Sequence, residues 1–216
     1  MRPTTVGTAT VGTADQIGPY PTTLVHMPRP TRQQIDDEIL ETAASLFARH
    51  GFKETSVQRI ADAVGYSKTG LLHRYPSKEA LQAAVIDRSL QELRAIITVI
   101  ADLSPGPDRD RAAVNGVAHL AMRRPGSVRL LLSGLLGEKD DDMGQALEEV
   151  GAGVFEAFAV DPGADPARAL RVVGALGAMA VARIALLETD LGGEAAFGQL
   201  VEISFDALGH ARPTTH

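Results

Sequence analysis

Between Thr55 and Tyr75 the sequence holds two helix starts so close together that only a tight turn fits between them. Val57, Ile60, Ala61 and Val64 form one apolar face of a short helix that has to stop at Gly65, and Ser67, a good helix-capping residue, opens the next segment two positions later. Two short helices joined by a Gly-containing turn make a helix-turn-helix, and their apolar stripes must be buried against another element. The preceding residues supply it. Pro30-Thr31 leads into Ile35, Ile39, Ala43 and Phe47 at four-residue spacing, Thr31 with Gln34 fits a capping box, and Gly51 follows His50 as a stop. Thr55 with Gln58 repeats the same T-x-x-Q start for the second helix.

The pattern stays helical to the end. Pro76-Ser77 stops the third helix and caps a long fourth one, with Glu79 in its first turn and Leu81, Ala84, Val85 and Leu93 on its stripe, until Ser104-Pro105-Gly106-Pro107 breaks it. Further helices are expected near 109–123, 127–136, 143–159, 166–188 and 194–208, separated by Arg124-Pro125-Gly126, Gly137 to Asp142, Asp161-Pro162-Gly163 and Gly192-Gly193. Asp165-Pro166 is an N-cap with Pro in the first helical position. The fold expected is all-α: an N-terminal three-helix helix-turn-helix domain over 31–76 and a C-terminal helical domain over 77–210. Residues 1–30, rich in Thr, Pro and Gly, read as a flexible arm, and 211–216 as a disordered tail.

Composition narrows the chemistry. Apolar residues make up 44% of the chain and charged residues 22%, which excludes global disorder, and aromatics at 4% with no Trp favour packed helices over strands. The absence of Cys removes thiolate catalysis, zinc knuckles, iron–sulfur sites and disulfides. No P-loop, G-x-G-x-x-G, G-x-S-x-G or H-E-x-x-H is present, and Asp140-Asp141-Asp142 lacks the later Gly and Glu of a calcium loop, so no enzyme, cofactor or metal is expected. The longest apolar run, Val172 to Ala182, lies between Arg171 and Arg183, short of the ~20 residues of a spanning helix. No secretory signal is visible, and a soluble cytoplasmic protein is expected.

A formal charge of −6 argues against nucleic acid until it is divided along the chain. Arg49 to Lys78 holds six Lys and Arg against two Asp and Glu, a balance of +4, whereas Ala95 to His216 holds 10 against 17, a balance of −7. A small basic unit therefore precedes a larger acidic one.

The stretch from Ile35 to Leu81 resembles the DNA-binding domain of the TetR family of transcriptional regulators. The resemblance is carried by Ala43-Ala44-Ser45-Leu46-Phe47, Gly51-Phe52, Thr55-Ser56-Val57, Ile60-Ala61, Gly65-Tyr66-Ser67-Lys68, Leu71 and Tyr75-Pro76-Ser77-Lys78-Glu79-Ala80-Leu81. Leu72 stands where the family usually has Tyr, and Thr69-Gly70 inverts the usual order. A recognition helix puts its N-terminal residues at base edges in the major groove while the preceding helix crosses the backbone. Lys68, Thr69 and His73 are expected on the exposed side. Lys68 suits guanine, and Gln58 suits adenine or guanine. Thr55, Ser56, Tyr66, Ser67 and Lys78, at or beside helix N-termini, are expected at phosphates, with His73 or Arg74 replacing the missing Tyr hydroxyl.

Such units act in pairs on half-sites about 34–36 Å apart, so a double-stranded, palindromic operator is expected. The resemblance implies a homodimer in which the last two helices of each subunit form the interface. The sequence offers Gly174, Ala178 and Ala182 as a small-residue row and an aromatic stripe on the 194–208 helix, although such a row can also pack within one subunit. A small-molecule effector is expected among the middle helices, where Asn115, His119 and Arg183 are the polar candidates and Met122 and Met179 adaptable lining. A carbonyl or carboxylate of the fold can satisfy the same polar groups. The function expected is a ligand-responsive repressor released from its operator by a small molecule. The alternative is an all-helical carrier of small molecules that does not bind an operator.

Overall fold

The structure, a computed structural model, describes residues 31–136, 141–187 and 194–210. The expected arm, the expected tail, Asp140 and the Gly192-Gly193 break lie outside them. Among the described residues there are nine helices and no strand: α1 (Arg32–His50), α2 (Val57–Ala63), α3 (Lys68–Arg74), α4 (Lys78–Ile100), α5 (Pro107–Arg123), α6 (Pro125–Leu136), α7 (Asp141–Ala157), α8 (Pro166–Leu187) and α9 (Glu194–Ala207). The all-α expectation holds, and the helix ends fall within a few residues of where the caps and breaks put them.

Local hydrogen bonds explain those ends. Thr31 and Gln34 form the capping box, the Thr31 hydroxyl accepting from Gln34 N at 3.2 Å while the Gln34 side chain accepts from Thr31 N at 2.7 Å. Ser67 accepts from Gly70 N and Ser77 from Ala80 N, each at 3.0 Å. Gly51 and Gly65, which end α1 and the α2 turn, sit at φ +79° and +70°, where a Cβ would be strained. One cap differs from expectation. Ser56, not Thr55, starts α2 and accepts from Arg59 N at 3.1 Å.

Two apolar cores result. Ile39, Ala43, Phe47, Ile60, Leu71, Leu81 and Val85 close the N-terminal head, and Leu130 of α6 and Met143 of α7 join them. The second core gathers Ile100, Val114, Phe158, Val172, Met179, Val201 and Phe205 from α4, α5, α8, α9 and the end of α7. Phe197, Leu200, Val201, Ser204, Phe205 and Leu208 do share one face of the last helix and its end, and that face is turned inward. Two buried ionic groups brace this core. The Arg109 guanidinium donates to Ile100 O at 3.1 Å and Leu103 O at 2.8 Å, past the end of α4, and to Ala157 O at 2.9 Å and Glu156 O at 3.0 Å at the end of α7. Asp110, fully buried, accepts from Arg168 at 2.8 Å and lies 2.6 Å from the His210 ring.

Helix α8 is more apolar than its longest uncharged run suggested. Pro166–Leu186 reaches a mean hydropathy of 1.7, long and apolar enough to cross a membrane by length and composition. The reason is that it is apolar on two sides: Val172, Ala175 and Met179 face the core, while Leu170, Val173 and Val181 are exposed.

The head is fastened to α6 by close approach and charge. A Cβ on Gly126 would collide with Ser45 Oγ and lie 2.6 Å from the Glu41 carbonyl oxygen, so only glycine lets α1 and α6 meet here. The Glu41 carboxylate accepts from Gly126 N and, at 3.3 Å, from the Ser127 hydroxyl. Burial pushes its pKa above the ordinary 4.5, against the lowering by those hydrogen bonds and by Arg124. Arg124 bonds Glu92 at 2.9 Å and Asp37 at 3.0 Å, and Arg88 pairs with Asp37 as well. For Arg124, burial opposes the charge, yet its partners hold the pKa above the ordinary value.

Two outcomes follow from this joint. Gly126→Ala should cost about 1–3 kcal/mol through overpacking, seen as a melting temperature lower by several degrees. For Glu41 the sign runs opposite to a salt-bridged acid: between its unfolded and its raised folded pKa only the folded state holds the proton, so its contribution to stability grows as pH falls. Denaturant midpoints of the wild type, relative to Glu41→Gln, should therefore rise as pH is lowered from 7 toward 4.5.

Candidate nucleic-acid interface and cavity

Of the ten residues expected at DNA, six form the exposed side of the helix-turn-helix. Ser56 and Gln58 are exposed on α2, and Ser67, Lys68, Thr69 and His73 on α3. They come together because Gly65 turns the chain and Leu71 anchors α3, fully buried, against Ile60 and Ala61. The Gln58 amide nitrogen donates to Asp62 Oδ1 at 2.6 Å, which engages one of its two N–H groups and leaves its second N–H and its oxygen without a bond within the helix. Tyr66 is half-buried at the turn. Arg59 is exposed beside Gln58 and carries no cap or motif signal in the sequence.

Three expectations need correction. Thr55 is 1% exposed, and its hydroxyl donates to Gly51 O at 2.8 Å with Leu46 O at 3.2 Å. It locks the loop between α1 and α2 and does not face a phosphate. Arg74 turns back onto α1 and pairs with Asp36 at 2.9 Å. The Tyr75 hydroxyl donates to the same carboxylate at 3.4 Å, and burial together with the Asp36 charge pushes its pKa up to about 12. Lys78 donates to Phe52 O at 2.7 Å and Lys53 O at 3.2 Å, its ammonium 4.4 Å from the Phe52 ring centre. That cation holds the α1–α2 loop, where the sequence had suggested a free phosphate ligand.

The cavity lies among α4, α5, α6, α7 and α8, has a volume of about 110 Å³, and is walled by residues such as Leu93, Leu120, Leu131, Val150, Leu176 and Met179. Only Met179 of the five residues expected there lines it. Asn115 donates to Arg111 O at 2.9 Å on its own helix. His119 is exposed with its ring 4.4 Å from that of Phe197. Arg183 donates to Met122 O at 3.5 Å, and neither side chain reaches the cavity wall. The walls are mostly aliphatic residues that a sequence does not distinguish from core, whereas the polar residues of these apolar helices bond elsewhere.

The small-residue row of α8 faces outward. Gly174 and Ala178 are exposed, and nothing lies within 4 Å of where a Gly174 or Gly177 Cβ would be. Leu170 at 73%, Val173 at 54%, Val181 at 61% and Ile203 of α9 at 55% exposure extend this apolar face. The aromatic stripe of α9 belongs to the core instead: Phe205 is packed inside, beneath Arg111, whose guanidinium lies 3.9 Å from its ring centre and pairs with Glu202 at 2.7 Å.

Known proteins share both parts of this architecture. The HTH-type transcriptional regulator RutR of Escherichia coli K12 is 46% identical over 52 residues, 24% of this chain and 24% of that protein. The HTH-type transcriptional repressor KstR2 of Mycolicibacterium smegmatis is 37% identical over 71 residues, 33% of this chain and 35% of that protein. The chain thus matches about a quarter to a third of the length of these curated relatives. The crystal structure of AibR in complex with isovaleryl coenzyme A and operator DNA superposes with a TM-score of 0.54 at 22% identity, over 79% of this chain and 98% of that one, and so shares the fold. Residues 39–85, which hold most of α1, all of α2 and α3 and the start of α4, match the family model for bacterial regulatory proteins of the tetR family.

Proposed function

We propose that this protein is a dimeric, sequence-specific DNA-binding repressor whose affinity for its operator is set by a small molecule held in the helical body. The head over 31–76 reads DNA and the body over 77–210 binds effector and partner. The observation that carries the reading is the exposed row Lys68, Thr69 and His73 on a Ser67-capped α3, with Ser56 and Gln58 on the helix before it. In a major groove this row lies at base edges, Lys68 toward guanine, while the Ser56 and Ser67 ends of α2 and α3 lie near phosphates. The sign of regulation follows the name of KstR2, a transcriptional repressor. AibR, bound to both an acyl thioester and operator DNA, is a precedent for the effector on this fold.

The exposed apolar face of α8 with Ile203 of α9 supports a two-fold dimer, because an isologous contact buries the same patch on both copies and small residues let the helices approach closely. A two-fold protein reads a palindrome. The cytoplasm, where the DNA lies, is its place of action.

Fluorescence anisotropy with the full chain and labelled duplex from upstream of its own coding sequence tests the DNA reading. Affinity should fall with salt at a log–log slope of about −0.9 per phosphate neutralised. Lys68→Ala should relax preference at one base pair at a cost of about 1–3 kcal/mol, whereas Thr55→Ala should lower the melting temperature and leave the salt slope unchanged. Binding that is absent or indifferent to salt would favour the carrier alternative. The dimer is tested by sedimentation: Val173→Asp with Val181→Asp should convert a dimer into a folded monomer, and an unchanged sedimentation coefficient would refute the α8 interface.

A further inference from the structure

We infer that the cavity between α4 and α8 is a site for an uncharged hydrocarbon group of about five or six carbons, the polar remainder of the ligand staying outside. As an effector site it rests on the regulator reading; as a binding site it does not. No charged residue is among its walls, and its two hydroxyls are already engaged. Ser89 donates to Val85 O at 3.0 Å, and Ser127 to the Glu41 carboxylate at 3.3 Å. A charged or multiply polar group placed there would lose its water and find no free partner, while a hydrocarbon loses nothing. Size sets the upper bound. At about 110 Å³ the cavity is somewhat smaller than apolar cavities of roughly 150 Å³ that stay dry and take up benzene. Met179 lends the wall an adaptable side chain, itself 2% exposed.

Ser127 makes the site consequential, since the same residue lines the cavity and holds Glu41 of the head. An occupant that displaces the first turn of α6 alters that contact directly.

The chain contains five methionines, so a spectrum of methyl-labelled methionine in the full-length protein reports on the site, with Met179→Leu identifying its signal. Two probes offer the same branched hydrocarbon from different sources: 3-methylbutan-1-ol as a free small molecule and isovaleryl coenzyme A as an acyl thioester. Either should shift the Met179 methyl saturably and leave Met122 unmoved, and the tighter one names the source. Succinate, charged at both ends, should not shift it. Ala121→Leu, which fills the cavity, should weaken the better probe at least tenfold, with Val117→Leu serving if that variant is unfolded. The site is refuted if neither probe moves Met179, if succinate moves it equally, or if filling leaves affinity unchanged. A duplex that fails to bind the free protein, alongside a shifting Met179, refutes the regulator reading and leaves the site standing. A duplex that binds alongside a silent Met179 refutes the site alone.

Discussion

The carboxylate of Glu41 sits where α1 meets the first turn of α6, accepting from the Gly126 amide and the Ser127 hydroxyl at a spot that tolerates no Cβ on residue 126. An anion at a helix N-terminus satisfies free amides and complements the helix dipole, which offsets the cost of burying it. The position of the head follows from this contact. Because Leu130 and Met143 of the body complete the head's own core, the three N-terminal helices are neither sealed nor independent.

Charge extends the joint in both directions. From Arg74 at the end of α3 the ion pairs run to Asp36 on α1, and from the neighbouring Asp37 to Arg88 and Arg124, with Glu92 of α4 bonding both of those arginines. These groups are partly buried, so their attraction is stronger than that of exposed pairs, and their geometry more constrained. Arg74 thereby ties the end of α3 to α1, and Asp37, Arg88, Glu92 and Arg124, each with two partners, tie α1 to α4 and to the junction of α5 and α6. Arg74 and Lys78, which the sequence suggests for DNA contact, hold α3 to α1 and α4 to the α1–α2 loop.

What the sequence disclosed was local. Thr31 with Gln34, Ser67, Ser77 and Asp165-Pro166 are caps whose partners lie three residues on, and each formed as read. Thr55 and Ser56 show the limit: adjacent residues of equal capping propensity are separated only by which one the α1–α2 loop pulls inside. The partners of Arg74 and Lys78 are not legible in the sequence, because Asp36 and the Phe52 carbonyl lie 38 and 26 positions away, beyond any periodicity. The cavity walls were invisible for another reason. Leu93, Leu131 and Val150 occupy ordinary core positions in their own helices, and a void between five helices has no signature in any one of them.

Arg109 gives α4 a mechanical character. Its guanidinium grips the carbonyls at the far end of that helix and binds them to the end of α7, so this end is a pivot. The near end carries Lys78, clamped to the α1–α2 loop. With 23 residues, α4 is about 34 Å long, and a tilt of about 5° around the pivot would carry the near end through about 3 Å, close to half the rise of one helical turn. By this lever arm a small change of angle in the body would displace the near end of α4 by about the length of a hydrogen bond.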